Sequence, residues 1–257
     1  MHSDRRILSR GRAFRAISSV LPDAPVVVLL HGIGASHRYL SHLHAELTRT
    51  CTVHSVDLPG FGGLPKSAQA PDVPDMAGAL ARVLDRLGAR DAVVVGHSMG
   101  AQWVVETAVQ RPDLARAVVA IGPVSDREHR SLRAQGAALA LDILGEPPRV
   151  NTVVFADYLR CGPVYFLREA RPMIRYPIED RIRELAAPLL VIRGGDDPIA
   201  GPAWCALLSE RAVRGTLVEV PGHRHVVQHT APREVAAAVR TLMSTIPAAS
   251  TPPRSAR

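Results

Sequence analysis

One serine of this sequence stands in a setting that can make it a nucleophile. Ser98 is the centre of the pentapeptide Gly96–Gly100, directly after the apolar run Val93–Val95. A strand that enters such a turn and continues as a helix leaves the serine hydroxyl at the tip of a sheet. Glycine at 96 and 100 lets the strand and helix backbones approach closely. The turn also presents the Met99 amide toward whatever Ser98 attacks, so the segment predicts nucleophilic catalysis.

A serine nucleophile needs a base and a carboxylate, and the second half of the chain offers both. A neighbouring imidazole must accept the hydroxyl proton, because serine is a weak nucleophile at neutral pH. A carboxylate then fixes the imidazole tautomer and stabilises the cation that forms. The acidic candidates Asp196 and Asp197 follow one apolar run, and the histidine candidates His223 and His225 follow the next. The residue types alone leave both pairs open.

The strands that precede these residues must position them. Runs rich in Val, Ile and Leu predict buried strands separated by helical segments. The predicted strands are Val26–Leu30, Thr52–Val56, Ala92–Val95, Ala117–Ile121, Leu189–Ile192 and Thr216–Val220, with a short edge strand at Ala13–Val20. Strands that alternate with helices predict an α/β fold, with a mostly parallel sheet covered by helices on both faces. Functional groups gather at the carboxyl ends of such strands, where all the candidates lie.

The alternation of strands and helices stops over residues 124–187. This segment predicts no buried strand, but three helices at about Ser131–Leu144, Val153–Leu159 and Val164–Met173. We interpret it as a helical cap inserted into a core domain made of residues 1–123 and 188–246. Residues 1–12 are polar and basic and are expected to be loosely ordered. The tail 247–257, rich in Pro, Ser, Ala and Arg, is expected to be disordered.

Together these features resemble the α/β-hydrolase fold superfamily, over residues 24–246. The segment 124–187 corresponds only in position, as the cap of that fold. The chain order of serine, acid and histidine is the one that the superfamily uses. Its pattern Gly-x-x-Asp, counted from Gly194, selects Asp197 as the carboxylate, and Pro-Gly-x-x-His selects His225 as the base. The resemblance therefore implies a catalytic triad of Ser98, Asp197 and His225.

The resemblance also implies the groups that stabilise the oxyanion of the tetrahedral intermediate. These are the backbone N–H groups of Ile33 and Met99. His31 would order the oxyanion loop and His97 would be structural. The more distant His37, His42 and His44 are predicted to be histidines on a helix surface.

The chain departs from the superfamily pattern in two places. The loop that begins at Asp57 resembles Asp-x-Pro-Gly-x-Gly-x-Ser, but Leu64 stands where the final serine belongs. This puts the usual polar contacts of that loop in doubt. The N-terminal segment is short and is expected to lack the first edge strand of the sheet.

The chemistry implied is hydrolysis of carboxylic ester or lactone bonds in a small to medium organic substrate, through an acyl-enzyme. Serine at position 98 excludes relatives that use an aspartate nucleophile. Hydrolysis of thioesters or of carbon–carbon bonds by the same triad is an alternative. A further alternative is a ligand-binding member of the fold that turns over slowly. No organic cofactor and no metal are expected. The cap arginines suit either an acidic acyl group, a phosphopantetheine-bearing partner or a solvated helix face; they are Arg160, Arg168, Arg171 and Arg175.

Composition limits the remaining function classes. The 257 residues carry a net charge of +7, almost entirely from arginine, since Lys66 is the one lysine. The arginines are scattered, and their densest run, at residues 5–15, forms no aromatic platform, so we expect a small-molecule substrate and no nucleic-acid partner. No run reaches the ~20 apolar residues of a membrane span. Three widely spaced cysteines form no disulfide or metal pattern, and the absence of a signal-peptide pattern favours a cytoplasmic protein. The sequence does not indicate the oligomeric state.

Overall fold

The apolar runs of the sequence form one mixed sheet. The computed structural model describes residues 2–67 and 71–246, and in these ranges the sheet has eight strands. The strands are β1 (His2–Ser9), β2 (Arg12–Ser19), β3 (Val26–Leu30), β4 (Thr52–Asp57), β5 (Ala92–His97), β6 (Ala115–Ile121), β7 (Leu189–Gly194) and β8 (Gly215–Val220). Their spatial order is β1-β2-β4-β3-β5-β6-β7-β8. The six strands from β4 to β8 in this order pair in parallel, whereas β1 and β2 are antiparallel.

Helices connect the strands and cover both faces of the sheet. The α-helices are α1 (Ser41–Leu47), α2 (Val73–Leu87), α3 (Met99–Gln110), α4 (Leu132–Gly145), α5 (Pro148–Cys161), α6 (Pro163–Arg175), α7 (Ile178–Arg181), α8 (Pro202–Arg211), α9 (Val227–Thr230) and α10 (Pro232–Thr245). Successive strand residues point to opposite faces, so Val94 packs in one core layer while Val93 and Val95 pack in the other. Helices α2, α3 and α8 contribute to the first layer, and α1 and α10 to the second. The predicted fold class is confirmed.

The expectation of a loosely ordered start without a first edge strand is wrong. Strand β1 pairs with β2 along its whole length, through a tight turn at Arg10 and Gly11. Both turn residues have positive φ, 48° and 70°, which suits a two-residue hairpin. Ile7 packs into the core while most of the charged residues of β1 face solvent. The polar character of this segment thus reflects the edge of a sheet, and not an absence of structure.

The predicted helices of the 124–187 segment are present, with shifted bounds. Helix α5 begins at Pro148, five residues earlier than expected, because proline has no N–H to satisfy in a first helical turn. The segment also contains the short helix α7, which the sequence analysis did not predict. Between β3 and β4, a 3₁₀ turn at His37–Leu40 leads directly into α1. The predicted disordered tail lies outside the described residues.

Candidate active site

Ser98 occupies a sharp turn between β5 and α3. Its φ of 58° and ψ of −122° are strained for a residue with a side chain. A Cβ atom on Gly96 would lie 2.2 Å from the Gly100 carbonyl oxygen, and one on Gly100 would lie 2.7 Å from that of His31. Both glycines are therefore required by the close approach of backbone segments. The turn points the Ser98 side chain into a cleft above the sheet.

Asp197 and His225 are hydrogen-bonded to each other at the ends of the neighbouring strands β7 and β8. The Nδ1–H group of His225 donates to Oδ2 of Asp197 at 2.9 Å. The other oxygen of Asp197 accepts from the backbone N–H groups of Ile199 and Ala200, at 2.8 and 3.0 Å. Burial raises the pKa of Asp197, but His225 and the two amides more than offset this and lower it to about 2. The carboxylate is thus held in one orientation and stays ionised.

The neighbouring candidates Asp196 and His223 do not take part in this pair. Asp196 is exposed, on the turn that precedes Asp197. His223 is half-buried, and its Nδ1 atom lies 2.9 Å from the Thr230 hydroxyl. In both doublets, the residue that the family pattern selects is the one in the hydrogen-bonded pair.

The His225 imidazole lines the same cleft as Ser98. Its ring lies so close to Gly122 that a Cβ atom there would be 3.0 Å from Cε1. Burial lowers the pKa of His225, but the charge and hydrogen bond of Asp197, helped by Asp142 and Glu146, raise it above the ordinary value of 6.5. The imidazole is therefore surrounded by groups that stabilise its protonated form, as a general base requires once it has accepted a proton.

The loop after β3 lies directly beside Ser98. A Cβ atom on Gly32 would be 2.8 Å from Cβ of Ser98 and 3.3 Å from its Oγ. The next residue, Ile33, lines the cleft, and no group of the described chain accepts a hydrogen bond from its amide. Met99 is the first residue of α3, where an N–H has no partner within the helix. Both predicted oxyanion donors thus belong to backbone segments next to the serine.

A chain of hydrogen bonds connects this loop to the His225 loop. Burial lowers the pKa of His97 well below 6.5, so its ring is neutral. The Gly32 N–H donates to the Tyr39 hydroxyl at 2.6 Å, which leaves that hydroxyl to donate to Nδ1 of His97 at 2.7 Å. The Nε2–H group of His97 then donates to the backbone carbonyl of His225 at 2.9 Å. The sequence analysis missed Tyr39, which carries no motif and reaches the site only through the turn before α1.

Three histidines between β3 and β4 form hydrogen bonds that hold neighbouring segments of the fold together. Nε2 of His31 accepts the Leu58 N–H at 3.0 Å, so its Nδ1–H donates to the Gly32 carbonyl at 2.7 Å. His37 contacts the buried Asp57 through both its backbone N–H and its ring. The prediction of a surface position is wrong for His44, which is buried against β4 and has a pKa lowered to about 4 by burial. Leu64, in place of the family serine, is buried as well.

The cleft above Ser98 is lined mostly by apolar side chains of the 124–187 segment. Its empty volume is about 940 Å³, counted with its opening to solvent. Among the described residues that line it, the charged side chains are Asp142 and Glu146, apart from the histidines. None of the four cap arginines lines it; Arg168, Arg171 and Arg175 line a separate groove, and Arg160 pairs with Asp157. A cleft with this lining suits an organic molecule that has an apolar part.

Within residues 2–67 and 71–246, no three His, Cys, Asp or Glu side chains converge so as to hold a metal ion. In the same ranges, no helix has the length and apolar character needed to cross a membrane.

Comparison with known proteins places this geometry in a family. Residues 27–238 match the model of the alpha/beta hydrolase family. The chain belongs to the alpha/beta hydrolase family.

Two curated relatives align over most of their length. The chain is 26% identical over 235 residues to 2-(acetamidomethylene)succinate hydrolase of Mesorhizobium japonicum, covering 82% of this chain and 84% of the relative. It is 36% identical over 226 residues to a protein of Pseudomonas savastanoi pv. phaseolicola provisionally named carbamate hydrolase RutD, covering 78% and 87%.

A solved structure shows the same fold at lower sequence identity. The enol-lactonase from Burkholderia xenovorans superposes with a TM-score of 0.81 and 17% identity, covering 93% of this alpha/beta hydrolase and 100% of that chain. The names of these three proteins all describe hydrolytic enzymes, but the type of bond that is hydrolysed differs from one name to the next. The alpha/beta hydrolase fold and a hydrolytic class are therefore established for this chain, while the bond that it cleaves has to be argued from its own site.

Proposed function

We propose that this alpha/beta hydrolase cleaves carboxylic ester or lactone bonds of a small to medium organic substrate through an acyl-enzyme on Ser98. The observation that carries the proposal is the 2.9 Å hydrogen bond between His225 and Asp197, with the imidazole on the same cleft as Ser98. This is the arrangement that a serine needs in order to lose its proton during attack. A mostly apolar cleft suits the acyl chain of an ester.

In the first half of the reaction, Oγ of Ser98 bonds to the carbonyl carbon of the substrate while Nε2 of His225 accepts the hydroxyl proton. Asp197 stabilises the imidazolium that forms and does not itself become protonated. The N–H groups of Ile33 and Met99 donate to the oxyanion. Losing one such donor typically costs ~2.7–4 kcal/mol of barrier. The bond to the leaving alkoxide then breaks, and His225 returns its proton to that oxygen.

In the second half, water attacks the acyl-enzyme. His225 accepts a proton from the water as its oxygen bonds to the carbonyl carbon. The collapse of the second tetrahedral intermediate breaks the bond to Oγ, and His225 returns the proton to Ser98. The products are a carboxylic acid and an alcohol, or a hydroxy acid from a lactone. No group beyond the triad, the two amides and water is used.

The test compares p-nitrophenyl esters from acetate to decanoate, with wild type, Ser98→Ala and the control Ser244→Ala. Ser244 is an exposed serine on α10, far from the cleft in the fold. We expect Ser98→Ala to lose activity by ~10⁴-fold or more and Ser244→Ala to keep it, with the chain-length optimum reporting the size of the cleft. Equal, slow rates for all three proteins would overturn the proposal. Thioesters and carbon–carbon substrates would then be tested, followed by ligand binding without turnover.

A further inference from the structure

Two carboxylates from α4 and the residue after it lie in the cleft, and the proposed reaction does not use them. Asp142 and Glu146 are one helical turn apart, and the two residues are 2% and 6% exposed. Burial raises the pKa of both. Charged side chains are rarely buried unless something requires them, because desolvation is costly. Two buried carboxylates beside His225 therefore indicate a role that outweighs the cost of their desolvation.

One oxygen of each carboxylate holds the loop that carries His225. Oδ1 of Asp142 accepts from the backbone N–H of His225, and Oε1 of Glu146 accepts from that of Val226, both at 3.1 Å. The second oxygen of each accepts no hydrogen bond from any residue in the described ranges. Arg224 pairs with Oδ1 of Asp142 at 4.0 Å and donates a hydrogen bond to the Leu141 carbonyl at 3.1 Å. Its charge partly offsets the rise in the pKa of both carboxyl groups, but Arg224 does not line the cleft. Each carboxylate thus keeps a lone acceptor oxygen on the side of the cleft.

No described residue that lines the cleft supplies a compensating cation. Its lining contains no arginine and no lysine in the ranges 2–67 and 71–246. His97 is neutral, and the positive charge that His225 gains in the reaction is balanced by Asp197. An anionic acyl chain entering here would lose its water next to two carboxylates. Like charges brought together in a desolvated site repel each other strongly.

We infer that Asp142 and Glu146 select the acyl group of the substrate by its charge. The acyl chain that this cleft accepts carries no carboxylate and is either uncharged or bears a hydrogen-bond donor. The inference rests on the proposed ester hydrolysis at Ser98. It argues against one interpretation of the cap arginines, that they bind an acidic acyl group, because these arginines lie outside the cleft. A hydroxyl, amide N–H or ammonium group on the acyl chain would instead meet the two lone acceptor oxygens.

The experiment compares p-nitrophenyl hexanoate with mono-p-nitrophenyl adipate at pH 8. The two acyl chains have the same number of carbons, and the adipate ester ends in a carboxylate where hexanoate ends in a methyl group. We expect wild type to prefer hexanoate by ~10²-fold or more in kcat/KM, after correction for spontaneous hydrolysis. Equal turnover of both esters would overturn the inference and leave the proposed function standing. Turnover of neither would overturn the proposed function, and the inference with it.

Variants then assign the preference to these residues. Asp142→Asn, Glu146→Gln and the double variant remove charge but keep an oxygen that can accept the loop N–H groups. We expect the hexanoate preference of the double variant to fall by ~10-fold or more, mainly through faster turnover of the adipate ester. Glu128→Gln is the matched control, since Glu128 is an exposed acid before α4 and outside the cleft lining. A preference that stays the same in the double variant and in the control would show that the carboxylates do not cause it.

Discussion

The hydroxyl of Tyr39 lies 2.7 Å from Nδ1 of His97 and forms the middle of a hydrogen-bond chain from Gly32 to His225. The loop predicted to bind the oxyanion and the loop that carries the base are therefore connected through two neutral side chains. One loop follows β3 and the other follows β8, so these hydrogen bonds fix the distance between the two loops across the sheet. Such a connection provides the preorganisation that electrostatic catalysis requires.

Tyr39→Phe is expected to lower both stability and kcat. The Gly32 N–H would be left buried without an acceptor, at a cost of about 1–3 kcal/mol in the free energy of unfolding. We expect kcat for ester hydrolysis to fall ~10-fold while KM changes little, because the oxyanion loop acts on the transition state. Urea unfolding and steady-state kinetics measure the two effects. Tyr158→Phe is the control for stability, since the Tyr158 hydroxyl donates to no described residue; an equal loss in both variants would contradict the assignment.

Asp197→Asn is expected to lower kcat by about 10⁴-fold with little change in fold. The amide cannot accept the Nδ1–H of His225 in the same way, so the imidazole is held in the wrong tautomer. Asp196→Asn is the matched control because Asp196 is adjacent and exposed. It should change kcat by no more than about twofold. If Asp196→Asn were the more damaging of the two, the carboxylate would have been assigned to the wrong residue.

The pH profile of kcat/KM should have its acid limb above pH 6.5. His225 must be neutral to accept the serine proton, and the nearby carboxylates raise its pKa above the ordinary value, so activity falls as pH drops through that raised pKa. Asp142→Asn removes one of these negative charges and should move the limb to lower pH. The profile is measured with p-nitrophenyl hexanoate for wild type and variant. A limb that stays in place, or moves to higher pH, would contradict the role of Asp142.

Gly96→Ala is expected to destabilise the turn at Ser98, whereas Gly136→Ala should not destabilise the protein. The Gly96 Cβ would meet the backbone of Gly100 at 2.2–2.3 Å, and overpacking of this kind costs about 1–3 kcal/mol. A Cβ on Gly136 meets nothing within 4 Å, and alanine within a helix should gain about 0.5–1 kcal/mol. Urea midpoints at unchanged m-value report both changes. Similar midpoints for the two variants would show that the turn tolerates a side chain.

Much of the fold and several candidate residues followed from the sequence because they depend on neighbours along the chain. Runs of Val, Ile and Leu predicted the strands from Val26 to Val220, and the Gly-x-Ser-x-Gly spacing predicted the turn at Ser98. The doublets at 196–197 and 223–225 needed the family pattern, since residue types alone left them open. The first edge strand was missed because a charged edge strand and an unstructured segment have similar composition.

The contacts around the cleft were decided only by the tertiary structure. Asp142 and Glu146 meet the backbone of His225 and Val226 from 83 and 80 residues away along the chain. Tyr39 meets His97 across 58 residues. No local pattern marks these residues, because their role depends on how α4 and the turn before α1 pack over the carboxyl ends of the strands. The sequence by itself thus determined the strand ends and the turn at Ser98, which follow from short-range backbone geometry. The charge of the cleft and the hydrogen bonds around it arise from long-range packing. This packing brings together residues that, each in its own stretch of sequence, show no recognisable pattern.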